Sequence, residues 1–175
     1  NVLVNGAAGG VGTFAVQIAK WLGADVTGVC STRNVEMVRS LGADRAIDYT
    51  REDFTKGEQR YDLIFDVVGN HSLSACRRVL QPKGRYVGAG ILANPSVIGF
   101  LGLWMLPPLL SLFGSQKFLM LMARSRKADL TLMHELMKTG KVTPVIDRSY
   151  RLSEVAEAVR YLEEGHARGK VVITI

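Results

Sequence analysis

The 175-residue chain has only two cysteines, Cys30 and Cys76, far apart in sequence. No CxxC pair and no Cys/His cluster at metal-ligand spacing occurs, which argues against a disulfide scaffold and a structural zinc site. No metal ligands are therefore assigned. Histidine is nearly as scarce, with three residues. His71 and His134 sit in no motif that would pair them with a nucleophile, so they read as surface residues and the two thiols as core residues. No internal repeat or low-complexity linker is present. Basic residues exceed acidic ones, 22 to 16, for a formal net charge of +6. They are scattered rather than striped along one helix with interleaved aromatics, which speaks against nucleic acid. The excess serves solubility or attracts an anionic ligand. No basic flank or cleavage site marks a signal peptide. With so few cysteines, a soluble protein of a reducing compartment, the cytoplasm, is expected.

What the chain does have is alternation. Short apolar runs at Val2–Asn5, Asp25–Cys30, Arg45–Asp48, Tyr61–Val68 and Gly84–Gly90 read as strands. Between them, Val11, Phe14, Ala15, Ile18, Ala19 and Leu22 recur at helical spacing before Gly23. Asn34 can cap a helix that ends at Gly42, and Leu73, Cys76 and Leu80 share a helical face that Pro82 closes. This order predicts an α/β fold with a doubly wound parallel sheet of Rossmann type. Further on, helices are expected at Ala128–Lys138 and after Ser153, whose hydroxyl would cap it, with Val155, Ala158, Val159 and Leu162 facing the core. KVVITI at Lys170–Ile175 reads as a last strand. The chain divides into residues 1–140, the nucleotide-binding domain, and 141–175, a C-terminal return segment. From Tyr86 to Gln116 no charged residue occurs, and Val97–Phe113 is the most apolar stretch. Pro107 and Pro108 break any straight membrane-spanning helix there. A buried or cleft-lining segment is favoured over an interface patch or membrane-surface contact.

The first strand runs into GAAGGVG, with Gly6, Gly9 and Gly12 spaced by three. A glycine turn between strand and helix lets the backbone approach a pyrophosphate, whose charge the first helical N–H groups stabilise. Ala8 breaks the G-x-G spacing, and no Lys-Ser/Thr follows to make a P-loop. Gly6, Ala8, Gly9, Gly10, Val11 and Gly12 are the candidate phosphate contacts. Beyond the second strand no acid stands ready for a ribose 2′-hydroxyl; Ser31, Thr32 and Arg33 stand there instead. Two hydroxyls and a guanidinium suit a 2′-phosphate, so NADP (NADPH) is favoured over NAD. Tyr49, closing the third strand, falls at the adenosine edge. Small residues at the ends of the fourth and fifth strands, Val68 and Gly69, then Gly88, Ala89 and Gly90, leave room for the rest of a dinucleotide.

In order, GAAGGVGTFAVQIAK, GVCSTRN, SLGADRAIDY, YDLIFDVVGN, GKVTPVIDR and GHARGKVVI resemble the medium-chain dehydrogenase/reductase superfamily in its quinone oxidoreductase-like branch. The resemblance covers nearly the whole chain. It implies NADPH-dependent hydride transfer to a quinone, enone or related carbonyl, and it adds His166, Ala167 and Arg168 as cofactor contacts. It implies a homodimer through sheet edges, with Lys117–Met122 as the interface strand. It also implies a catalytic lobe preceding the first strand, absent here, on which the last helix and strand would normally pack. The fragment alone is then expected to be catalytically incomplete. The substrate would dock near Ile91–Phe113, with the nicotinamide near Gly69 and Gly90. No catalytic acid or base is identified. Two alternatives stay open: an NADP-binding module without turnover, acting as sensor or interaction domain, and a zinc-dependent alcohol dehydrogenase in the full-length protein.

Overall fold

The structure, a computed structural model, describes residues 1–89 and 114–175. Six parallel strands, β1 (Val2–Asn5), β2 (Val26–Cys30), β3 (Arg45–Asp48), β4 (Tyr61–Asp66), β5 (Leu80–Gly88) and β6 (Lys117–Met120), form one sheet in the order β3-β2-β1-β4-β5-β6. The order reverses between β1 and β4, which opens a crevice beyond their carboxyl ends. Helices α1 (Gly12–Trp21), α2 (Val35–Ser40) and α3 (Leu73–Arg78) cross between strands. This is the expected doubly wound sheet.

The period of two sorts side chains onto two faces. Leu3, Val29, Ile47 and Ile64 join Phe54, Cys76, Tyr86 and Phe118 on one side. Val4, Val26 and Cys30 join Val16, Val38 and Ala43 on the other. Fully burying one such Val, Leu or Ile side chain contributes about 1.5–3 kcal/mol.

Several local expectations need correction. The buried face of α1 is Gly12, Thr13, Val16 and Gln17, while Val11 and Leu22 are exposed. Polar side chains are tolerated there because both are bonded: Thr13 Oγ1 donates to the Gly9 carbonyl (3.1 Å), and Gln17 Nε2 donates to that of Thr143 (3.0 Å). The helix before Pro82 ends by Arg78, not at the proline. Leu80 is already in β5, because Tyr61 N donates to the Val79 carbonyl at 2.8 Å and Leu80 pairs with Tyr61. Ser153 caps nothing; it lies in a single 3-10 turn, and the Arg151 N–H is taken by the Glu154 carboxylate at 2.7 Å.

Two further helices, α4 (Lys127–Lys138) and α5 (Val155–Glu163), follow the sheet. The last strand, β8 (Lys170–Thr174), does not join the main sheet. It pairs in parallel with β7 (Ile146–Arg151), whose polar IDRSYR pattern gave no strand signal. On α5, Ala158 is buried, but Val155, Val159 and Leu162 are exposed, contrary to the core-facing stripe expected of them. The predicted apolar stretch Val97–Phe113 lies outside the described residues, and so does Gly90. Among the described residues, no helix is long and apolar enough to cross a membrane.

Gly12 and Gly23 test two separate physical demands. A Cβ at Gly12 would overlap the Gly6 carbonyl oxygen, so Gly12→Ala should cost more than about 3 kcal/mol. Gly23 has φ +82 and open space around it, so Gly23→Ala should cost only about 1 kcal/mol. Urea unfolding midpoints of the two variants check the difference.

Candidate functional site

A cleft of about 540 Å³ opens over the carboxyl ends of β1, β2 and β4. Its floor is the glycine loop. Gly6 turns the chain at φ +86, and Gly9 N donates to the Gly6 carbonyl at 3.1 Å. Gly6, Ala8, Gly9, Gly10 and Val11 all line the cleft. Gly12 lies beneath them as the first residue of α1, where its lack of a side chain lets helix and loop touch. The first turn of α1 contains no acidic side chain. Its N–H groups and the positive end of the helix therefore face the loop without a competing carboxylate.

At the adenosine end expected from the sequence, Ser31, Arg33 and Tyr49 line the cleft. Thr32 does not: its hydroxyl donates to Asp48 Oδ2 at 2.6 Å and is 3.0 Å from the Thr50 hydroxyl. Asp48, the acid nearest this corner, also accepts the Thr50 N–H and hydroxyl at 3.0 and 2.7 Å. These bonds, the Thr32 hydroxyl first, hold the Asp48 carboxyl below its usual pKa. Arg33 Nη2 donates to the His166 carbonyl at 3.1 Å, so the guanidinium already spans from the main sheet to the C-terminal return.

One lining residue that sequence reasoning missed is Asn34. It occupies the N-cap position of α2, yet its side chain caps nothing and Nδ2 donates to Ser31 Oγ at 3.1 Å. Its Oδ1 is the one buried side-chain polar atom without a partner among the described residues. A buried orphan acceptor is uncommon in folded proteins. Its position beside the cleft, together with the acid-free helix end and the free face of the glycine loop, fits a bound nucleotide.

Beneath the other end lies a polar knot. Asp66, 1% exposed, accepts from Asn5 Nδ2 (2.9 Å), Val68 N (2.9 Å) and Gly69 N (2.8 Å) through Oδ1, and from the Tyr86 hydroxyl (2.9 Å) through Oδ2. Asn5 Nδ2 also donates to Asn70 Oδ1 at 2.9 Å. Burial, then the Asp66 charge, push the Tyr86 phenol far above its ordinary pKa, so it stays a donor. Asn5, Val67, Val68 and Asn70 line the cleft; Gly69, Gly88 and Ala89, expected there from the sequence, do not. Asn5 and Asn70 had no sequence signal beyond their place after apolar strands.

The return segment closes the third side with Gly165, His166 and Ala167, while Arg168, expected as a contact, is not part of the lining. Cys30 also lines the cleft, but burial, helped by Asp48, pushes its thiol up to about 11. Burial pushes Cys76 up to about 12. Neither is a thiolate at neutral pH. Among the described residues, no group of three or more His, Cys, Asp or Glu side chains can hold a metal ion.

Comparison with known proteins finds similarity to a dehydrogenase family and to several oxidoreductases. The zinc-binding dehydrogenase family profile matches residues 41–173. The mitochondrial NAD(P)H oxidoreductase RTN4IP1 of Mus musculus is 35% identical over 99% of the chain and 47% of its own length. The chloroplastic NADPH-dependent alkenal/one oxidoreductase of Arabidopsis thaliana is 33% identical over 99% of the chain and 40% of its own length. The quinone oxidoreductase structure from Coxiella burnetii superposes with a TM-score of 0.84 at 28% identity, covering 99% of this chain and 52% of that one. The chain thus spans about half the length of the proteins it matches.

The Asp66 knot predicts a sharp contrast. Asp66→Ala strands the Tyr86 hydroxyl and the β4 turn N–H groups and should cost more than about 3 kcal/mol. Asp66→Asn keeps a carbonyl for the three Oδ1 donors while Tyr86 turns to accept, and should cost about 1 kcal/mol. Chemical denaturation of both variants measures the gap.

Proposed function

The chain belongs to the zinc-binding dehydrogenase family, in the quinone oxidoreductase-like branch of the medium-chain dehydrogenase/reductases, and from that premise we propose that it is the NADPH-binding portion of an oxidoreductase that reduces quinones, enones or related carbonyls. The observation that carries the nicotinamide reading is the cleft itself: a glycine loop at an acid-free helix N-terminus, at the point where strand order reverses. Bound NADPH would supply the hydride; the chain's own residues bind and orient. Gly9–Val11 and the first turn of α1 hold the pyrophosphate. Ser31 and Arg33 take the 2′-phosphate, and Tyr49 covers the adenosine edge. Thr32 contributes indirectly, by occupying Asp48 and so keeping that carboxylate from the phosphate. The turn Val68–Asn70, fixed by Asp66, forms the wall toward the nicotinamide. The preference for NADPH over NADH rests on the missing acid after β2 and on the Arg33 guanidinium beside Ser31.

Homodimer formation is the companion proposal. Among the described residues β6 is the last strand of the sheet, and Leu119, Leu121 and Met122 along and after it are exposed. Exposed apolar side chains clustered at the end of a sheet form a surface on which a second copy can pack.

Calorimetric titration tests the cofactor reading. NADPH should bind roughly 10- to 100-fold tighter than NADH, the equivalent of one charge-assisted bond. Arg33→Ala should remove most of that difference. Equal affinity for the two dinucleotides would overturn the NADP assignment and leave the nicotinamide site. For the dimer, sedimentation at micromolar concentration should give twice the 19.2 kDa chain mass, and Leu121→Asp should return the monomer.

A further inference from the structure

We infer that Asp147 is a positioning residue for the nucleotide cleft: from behind the lining it fixes the return segment Gly165–Gly169 against the glycine loop, and thereby sets dinucleotide affinity. The inference rests on the dinucleotide reading above and adds to it a residue that touches no part of the cleft.

The return segment carries little that would hold it by packing. Gly165, His166 and Arg168 are exposed, Ala167 is half-buried, and Gly169 is buried. Its geometry is instead set by hydrogen bonds at three points. Gly169 N donates to the Ala8 carbonyl at 2.9 Å, which ties the segment's end to the glycine loop. Arg33 Nη2 holds the His166 carbonyl at 3.1 Å. Between them, Arg168 N donates to Asp147 Oδ2 at 2.9 Å.

Asp147 is itself locked. The same Oδ2 accepts the Tyr161 hydroxyl from α5 at 2.5 Å. The Arg148 guanidinium lies 3.8 Å over the Tyr161 ring, and its Nη1 reaches the Tyr150 hydroxyl at 3.4 Å. Partial burial opposes the charged form of Asp147, but the bonds from Tyr161 and Arg168 outweigh it, so its pKa lies below the ordinary carboxylate value. The carboxylate therefore joins three elements: β7 that bears it, α5 through Tyr161, and the return segment through Arg168. Two glycines make the close approach possible. A Cβ at Gly169 would overlap the Val145 carbonyl oxygen, and one at Gly10 would come within 3.0 Å of the Gly169 carbonyl oxygen. The segment can pass this close to the phosphate loop in one conformation, and Asp147 selects it.

NADPH titration of the wild-type chain and three variants decides the matter. Asp147→Ala should weaken NADPH binding by about 10-fold, the loss of one charge-assisted bond. Asp147→Asn should bind within about 3-fold of wild type, because its amide oxygen can accept both donors. Tyr161→Phe keeps the ring under Arg148 and removes one hydroxyl; a loss of about 3-fold is expected, and this variant carries the test should Asp147→Ala fail to fold. Wild-type affinity in both Asp147→Ala and Tyr161→Phe, or an Asp147→Asn variant no better than Asp147→Ala, would overturn the positioning role while leaving the dinucleotide reading intact. A wild-type chain that binds neither NADPH nor NADH would overturn that reading, and this inference with it.

Discussion

The ends of β1 and β4 are held together by one buried carboxylate, and the geometry of the cleft depends on it. Among the described residues Asp66 has no cationic partner; its carboxyl oxygens accept from neutral donors on Asn5, Tyr86 and two backbone N–H groups. Such a group would be strongly destabilising if any donor were missing, because the low dielectric of the interior amplifies an unmet charge as much as a met one. Fully met, it joins β1, β4 and β5 where the strand order reverses and dictates the turn that follows β4. The crevice that a doubly wound sheet provides in general terms becomes, at this point, a cleft with one defined wall.

The opposite wall has a different electrostatic character. No acid follows β2, and the acid that does stand nearby, Asp48, is occupied by Thr32, Thr50 and an ion pair with Arg51. The cation available at that corner, Arg33, is bound to a carbonyl rather than to a carboxylate. A guanidinium held by a neutral acceptor keeps its charge and further donors free for an anion. The corner therefore has the sign, and the spare hydrogen-bonding capacity, that an anionic ligand requires.

What was legible in the sequence follows from the range over which each signal acts. Strand–glycine–helix alternation is local, so β1 to β4 and the glycine loop were read within a residue or two at most positions. The start of β5 at Leu80 was missed because a pairing with Tyr61, nineteen positions away, overrides the helical spacing of Leu73, Cys76 and Leu80. β7 was missed because its partner is β8, and a polar strand half-exposed on a two-stranded sheet has no apolar period to betray it. Ser31, Arg33 and Tyr49 could be placed at the cleft because they follow strands; Asn34, which also lines it, was read only as a cap, since its bond to Ser31 depends on the turn actually formed. Asp66 falls inside the fourth strand read from the sequence, but its four donors come from positions 5, 68, 69 and 86, which no window of sequence unites.

The same distances explain why the cleft is a property of the folded chain as a whole. A two-stranded sheet is marginal by itself, and β7–β8 has only limited packing, with three apolar side chains of α5 left exposed. Bonds tie it to α1 and to the loops after β1 and β2: Gln17 with Thr143 in both directions, Gly169 with Ala8, and His166 with Arg33. Two of these three links end on residues that line the cleft. A ligand bound between the glycine loop and the return segment would bridge the two sheets at that seam, adding its own contacts to the links already there. Ligand binding and docking of the small sheet are then one equilibrium, because whatever orders the seam favours both.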